Sequence, residues 1–284
     1  MTSIGILSDL VRPEEKMIMQ AAEKAGAKVS PVDISRISFE LASNGKGGLE
    51  EFDVFLQRSV STLKGLYACR MLEEKGLLAI NDFQSSQNCI DKAHCSMILA
   101  RNKIPTPRTI ACFSQESGLE AFERIGYPAV IKPVMGSWAR LVAKINDSDA
   151  AKAVLEDRQG MGALGGIFYI QEFVKKPQRD IRALVIGGKA VCAIYRVNDR
   201  DWITNTARGG IAENCPLSKE LEEISIRAAN AMGDGIFGVD VMESEKGLLV
   251  HEVNHSPEFK NMQRVTGKDI ASEIVDFALS KARR

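Results

Sequence analysis

Short apolar runs, each followed by a stretch of helical period, fill the first ninety or so residues. Residues 3–7 form the first apolar run and predict a strand. Pro13-Glu14-Glu15 then open a helix, since proline and acidic side chains both suit a helix's first turn. Met17, Ile18, Ala21, Ala22 and Ala25 recur at helical spacing, and Gly26 ends the segment. Residues 29–32, 53–56 and 77–80 predict further strands, 63–75 a second helix, and Asn44-Gly45-Lys46-Gly47-Gly48 a loop. Strand and helix in alternation predict a small parallel sheet with helices on its faces, an α/β unit over residues 1–88.

The texture changes near Gln84. Residues 85–101 predict one helix, stopped before Ile104-Pro105-Thr106-Pro107, where proline marks a lobe boundary. Strands follow at 109–112, 129–132 and 142–145, helices at 118–125 and 150–158, and a glycine-rich stretch at 160–166; together they make a central unit over 89–167. The last unit, 168–284, is expected to hold strands 168–173, 181–186, 189–196, 238–242 and 248–253 and a helix over 218–232. Gly187-Gly188 between two apolar runs predicts a two-residue hairpin, so this sheet is mixed or antiparallel. The stretches 160–166 and 199–210 are expected to be mobile flaps.

Bulk properties narrow the function. A chain of 284 residues suits two or three lobes. Lys plus Arg and Asp plus Glu number 37 each, which argues against a general nucleic-acid or membrane-surface binder. The six cysteines form no Cys-x-x-Cys pair, so zinc or a disulfide scaffold is not indicated, and reduced thiols in a cytoplasmic protein are expected. No run approaches the roughly 20 apolar residues of a membrane span.

The candidate chemistry starts late in the chain. Asp240 lies in one apolar strand, and Glu252 and Asn254 lie two apart in the next, so all three can share a face of a hairpin. Three hard oxygen donors suit Mg²⁺; a solvated polar face is the plainer alternative. Lys92 follows Asp91 at a helix start, and Lys132 ends an apolar strand, where burial is costly without an anion such as phosphate. Gly136-Ser137-Trp138 can lay backbone N–H groups on phosphates, although no GxxxxGK[ST] or GxGxxG is present. Residues 169–174 join the second unit to the third, where an extended segment can meet an adenine edge and Glu172 the nucleoside. Arg182, Arg196 and Arg208 could clamp carboxylate or phosphate, or form surface ion pairs. No Ser, Cys and His set supports covalent catalysis, so the inventory fits phosphoryl transfer by positioning and charge neutralisation.

In order along nearly the whole chain, Asp91-Lys92, Ile131-Lys132-Pro133, Gly136-Ser137-Trp138, Gln171-Glu172-Phe173, Arg179-Asp180-Ile181-Arg182, Asn205-Thr206-Ala207-Arg208-Gly209-Gly210, Asp240 and Glu252-Val253-Asn254 resemble the ATP-grasp superfamily. Within it the chain resembles the RimK-like ligases. Trp202-Ile203-Thr204-Asn205, Glu213-Asn214-Cys215-Pro216 and Glu258-Phe259-Lys260-Asn261 are similar to the LysX-type subgroup, which serves lysine biosynthesis. The resemblance implies an ATP-grasp fold, in which a parallel-sheet N-terminal domain precedes two lobes that clamp ATP. It implies an ATP-dependent carboxylate–amine ligase. The C-terminal glutamate of a small acidic carrier protein, LysW, becomes an acyl phosphate, and the α-amino group of 2-aminoadipate displaces the phosphate. Lys92, Lys132, Gly136 and Ser137 would hold the ATP phosphates; Gln171, Glu172 and Asp180 belong to the nucleotide set. Asp240, Glu252 and Asn254 would bind Mg²⁺, as two ions. Arg182, Arg196, Asn205 and Arg208 would line the reacting centre. His255, Glu258 and Phe259 would meet the amino acid. A homo-oligomer, dimer or tetramer, is expected on the same ground.

The chain departs from the subgroup at Ala139 and Gln178, where glycine is usual, at His251, where asparagine is usual, and at Asp201, where histidine is usual. His255-Ser256-Pro257-Glu258-Phe259 combines the histidine of the aminoadipate enzymes with the Pro-Glu-Phe of a sister group that uses glutamate for arginine biosynthesis. Either amino acid, or both, remains open. A RimK-like glutamate ligase with another acceptor and a non-catalytic nucleotide-binding regulator are the competing readings. A dinucleotide-dependent oxidoreductase fails on the missing glycine fingerprint.

Overall fold

The computed structural model describes residues 1–43, 45–136, 138–162 and 164–283. The chain opens with β1 (Ser3–Ser8), α1 (Pro13–Lys24), β2 (Lys28–Asp33), β3 (Val54–Gln57), α2 (Thr62–Glu74) and β4 (Ala79–Ile80). These strands form a parallel sheet in the order β2-β1-β3-β4. Alternation along β1 and β3 sends Ile4, Ile6, Val54 and Leu56 to the side of α1, and Leu7 and Phe55 to the side of α2.

The single helix expected over 85–101 is two: α3 (Phe83–Ile90) and α4 (Lys92–Arg101). Asp91 breaks it, because its carboxylate accepts from the Ala93 and His94 amides at 2.8 and 3.0 Å and caps α4. Next come β5 (Thr109–Cys112), α5 (Gln115–Ile125), β6 (Ala129–Lys132), β7 (Ala143–Ile145), α6 (Ser148–Gln159) and β8 (Phe168–Glu172). They build an antiparallel sheet in the order β5-β8-β6-β7. This corrects the expectation that residues 168–173 open the last sheet. β8 is instead the centre of the middle one, pairing Gln171 with Thr109 on one side and with Val130 on the other. A short apolar run says that it is a strand, not which distant strand it will pair with.

The remaining elements are β9 (Arg179–Ile186), β10 (Lys189–Val197), β11 (Ile211–Cys215), α7 (Lys219–Met232), β12 (Ile236–Ser244), β13 (Gly247–Asn254), α8 (Lys260–Thr266) and α9 (Ile270–Ala282). The strands form an antiparallel sheet in the order β11-β10-β9-β12-β13. Gly187 and Gly188 turn the β9–β10 hairpin with φ of 54° and 77°, as expected for a two-residue turn with both residues left-handed.

One face of this sheet is largely apolar: Ile181, Ala183, Val239 and Val250 pack on α4 and α7, and the Arg179–Glu243 ion pair closes its end. The other face is divided. At one end Leu184, Ile186 and Ile236 join a core with α1 and α9. At the other end Asp180, Arg182 and Arg196 face a cleft toward the middle sheet, with Asp240 behind them. The middle lobe has a core of its own, centred on Phe122, Ile131, Leu155 and Phe168. Among the described residues no helix is long and apolar enough to cross a membrane.

Candidate active site

The cleft encloses about 540 Å³ between the middle and C-terminal sheets. On the middle wall, Lys132 ends β6 and donates to the Gln171 side-chain oxygen at 2.7 Å. The Gln171 amide nitrogen donates to Thr109 Oγ1 and to the Tyr169 hydroxyl, each at 3.0 Å. That orients the amide so that its oxygen meets the lysine. Lys132 is buried, and burial lowers its pKa to about 8; Lys92 adds to the lowering, while Glu252, Asp240 and Asp180 oppose it from a distance. Lys92, at the first position of α4, places Nζ 2.7 Å from the Gly136 carbonyl and 3.1 Å from the Glu252 carboxylate. Gly136 has φ of 138°, a conformation open to glycine. Trp138, Ala139 and Leu141 follow at φ of 59°, 52° and 56°, so three residues with side chains sit in the left-handed region. The expected Ser137 lies outside the described residues. Glu172 accepts the Arg108 backbone N–H at 2.8 Å.

On the C-terminal wall Arg182 forks onto Asp240 with both contacts at 2.7 Å. Arg196 meets Asp180 at 2.6 Å and Asp240 at 3.1 Å, and the Thr204 hydroxyl donates to Asp180. Burial alone would raise the pKa of Asp240, but the two guanidiniums hold it well below the usual carboxylate range. Asn254 turns its amide nitrogen toward the Gly238 carbonyl and Asp240, at 3.4 and 3.5 Å, which leaves its oxygen for a cation. Both ring nitrogens of His251 are buried without a hydrogen-bond partner among the described residues. Burial and then Lys132 push its pKa well down, so the ring is neutral. Burial and Arg58 lower His255 to about 4.

The cleft thus gathers Lys92, Lys132, Gly136, Gln171, Glu172, Asp180, Arg182, Arg196, Asn205, Glu252, Asn254, His255 and Glu258 into one lining. Three expected residues stand elsewhere. Asp240 lies behind the wall at 1% exposure, because two arginines enclose it. Phe259 is 0% exposed, with the Arg58 guanidinium 5.8 Å from its ring, and is a core residue rather than a substrate contact. Arg208 is exposed and donates to the Ala139 carbonyl at 3.2 Å, bridging the two loops that border the cleft. Sequence reading quoted Phe173 and Trp202 inside motifs without giving them a role, and missed Val130 and Met242, which complete an apolar lining with them. Phe173 and Trp202 meet edge to face at 5.7 Å, and Lys144 Nζ stands 4.0 Å from the Phe173 ring. It also missed Arg12, which reaches the cleft from the first lobe. Neither carries a local signal that separates it from ordinary core or surface residues.

Residues 89–278 match the profile of the RimK-like ATP-grasp domain. The chain belongs to the RimK-like ATP-grasp family. Residues 4–87 match the LysX preATP-grasp domain, so the first lobe of this ATP-grasp chain is accounted for as well. The chain is 36% identical over 274 residues to the alpha-aminoadipate–LysW ligase LysX of Sulfurisphaera tokodaii, covering 96% of each. It is 32% identical to the glutamate–LysW ligase ArgX of Sulfolobus acidocaldarius, covering 96% of this chain and 97% of the relative. The RimK-domain ATP-grasp protein of Sphaerobacter thermophilus superposes with a TM-score of 0.79 at 24% identity, over 98% of this chain and all of that one. As a RimK-like ATP-grasp protein the chain is an ATP-dependent ligase, and such ligases use ATP and generally Mg²⁺. The donor set fits Mg²⁺ through Glu252 and the Asn254 oxygen, which reach the cleft. It fits only in part through Asp240, whose oxygens already receive the two guanidiniums.

Proposed function

We propose that this ligase phosphorylates the C-terminal carboxylate of a small carrier protein of the LysW type and couples it to the α-amino group of 2-aminoadipate. The observation that carries the reading is the pairing of two unlike cation sets across one cleft: Lys132 on the middle wall with Lys92 at the start of α4, and Arg182 and Arg196. The relatives named for aminoadipate–LysW ligation supply the substrate class. In this reading the cleft lies between the lobe of 89–167, its sheet completed by β8, and the lobe of 168–284, with 1–88 as the N-terminal domain.

Lys92, Lys132 and the Gly136 loop hold the ATP phosphates. Phe173, Trp202 and Met242 take the adenine side, beside Glu172. Glu252 and Asn254, supported by Asp240, hold Mg²⁺ as two ions, which neutralise phosphate charge. A carrier carboxylate oxygen attacks the γ-phosphorus and ADP leaves. The amine nitrogen then attacks the acyl carbon, the C–O bond to phosphate breaks, and the amine gives up its proton. Arg182, Arg196 and Asn205 border the site where this negative charge moves. No protein nucleophile is required, in keeping with six buried, unpaired cysteines.

The test is ATP-dependent phosphate release with purified carrier, comparing 2-aminoadipate with glutamate. Release with 2-aminoadipate alone is the expected result. Release with both makes one enzyme serve both amino acids, as the His255 to Phe259 sequence allows. Release with neither removes the carrier as acceptor. Glu252→Gln is expected to lose most turnover while keeping ATP binding.

A further inference from the structure

A second cavity, of about 230 Å³, opens beside the cleft. Arg12, Arg182, Arg196, Thr206 and Glu258 line both spaces, so the two join at the arginine wall. The small cavity falls below the roughly 300–1,000 Å³ of pockets for drug-sized ligands, as suits a single amino acid. Four cations, Arg12, Arg182, Arg196 and Lys260, surround it against two carboxylates, Glu14 and Glu258. Asp240, Asp180 and Glu15 meet Arg182, Arg196 and two edges of Arg12 from outside the cavity, so the lining suits a ligand that carries both carboxylate and ammonium groups rather than a bare anion.

The cations are not equivalent. Arg182 has its fork on Asp240, and Arg196 is held by Asp180 and Asp240. Arg12 comes from the N-terminal lobe, where it caps α1. Its Nε and Nη2 donate to Glu15 at 3.1 and 3.0 Å, and Nη2 also reaches the Arg58 carbonyl at 3.2 Å. Among the described residues its Nη1 has only Glu258, at 3.8 Å, too far for a hydrogen bond. The Glu258 side chain is 48% exposed, so it can move aside or receive an ammonium.

We propose that this cavity seats the amino-acid substrate and that Arg12 recognises its side-chain carboxylate. The proposal rests on the ligase reading above and adds the N-terminal lobe to its specificity machinery. Arg58 is the positioning residue behind it. Buried at 4% exposure, Arg58 holds Glu15 at 3.0 Å and donates to the Pro257 carbonyl at 3.0 Å. It therefore ties the partner of Arg12 to the loop that carries Glu258.

Isothermal titration of the full chain, with ADP and Mg²⁺ present, tests this with two probes: 2-aminoadipate, and 2-aminohexanoate, which has a methyl group in place of the side-chain carboxylate. The wild-type protein is expected to prefer 2-aminoadipate. Arg12→Gln should weaken 2-aminoadipate binding about 10- to 100-fold, the range for a hydrogen-bonded charge, and leave 2-aminohexanoate and ADP binding unchanged. Arg12→Lys should fall between, since it keeps the charge and loses the fork. In turnover, KM for the amino acid should rise while kcat holds. Equal 2-aminoadipate affinity in wild type and Arg12→Gln overturns the proposal, and so does a wild-type protein that does not separate the two probes. Discrimination by Arg12 without phosphate release on the carrier would leave this inference standing and remove the carrier from the ligase reading.

Discussion

The arginines of the C-terminal wall and Lys132 on the middle wall are held in opposite states. On the C-terminal wall Arg182 and Arg196 are already matched by Asp240 and Asp180. On the middle wall Lys132 has one neutral acceptor among the described residues, Gln171, and its lowered pKa records how poorly a buried ammonium is compensated there. The saturated wall shares its cores with the first lobe, with α4 and with α7, while the unsaturated wall belongs to a lobe with a separate core. A matched ion network gives fixed geometry before any ligand arrives. An unmatched one keeps its interaction energy for a ligand that brings negative charge.

Mutations can separate the two roles. The largest effect is expected from Asp240→Asn, which leaves two buried guanidiniums short of charge and should cost about 3–5 kcal/mol of stability in chemical denaturation. A loss under about 1 kcal/mol would mean that the arginines find other partners. Lys132→Met should act the opposite way. It removes a poorly compensated charge, so stability should hold or rise, while ATP affinity falls about 10- to 100-fold. The same lysine sets a pH dependence. With a pKa of about 8 it is mostly neutral above that pH, yet phosphate favours the protonated form. ATP affinity should therefore fall as pH rises through about 8, with proton uptake on binding, and this slope should vanish in Lys132→Met. For folding the sign is reversed: the burden of the buried ammonium is full below about 8 and fades as pH climbs toward lysine's ordinary value. The smallest effect concerns the loop. Ala139 at φ of 52° carries roughly 1–2 kcal/mol of backbone strain, partly offset by the entropy glycine adds to the unfolded chain. Ala139→Gly should raise the melting temperature by about 1–2 °C, and a lowered one would show that the conformation is unstrained.

Much of this was legible in residue order. Period-two spacing placed Glu252 and Asn254 together, and the register confirms Asp240 opposite Glu252. The Gly187-Gly188 turn and the alternating first lobe were equally plain, because local pattern determines them. What escaped depends on distance. β8 looked like the start of the last sheet because pairing partners are not written in a five-residue run. Asp91 sits inside an otherwise helical stretch, and its capping is decided by the side chain's competition for nearby amides. Phe259 fits a family position for substrate, yet the buried Arg58 and the α1 side of the core enclose it. Arg12 sits in a loop before Pro13, with nothing local to mark it as part of a cleft whose main residues lie 80 or more positions on.

The packing of α9 bears on how the chain is made. Ile270, Ile274, Val275 and Ala278 lie in the same core as Ile4, Ile6, Val54 and Leu56 of the first sheet, and α9 packs directly on α1 and β3. During synthesis the first sheet therefore emerges with part of one apolar face uncovered. It stays so until residues 270–282 have left the ribosome. A lobe made early is therefore finished only once α9 has emerged, and the nascent chain must shield that face while the two intervening lobes are synthesised.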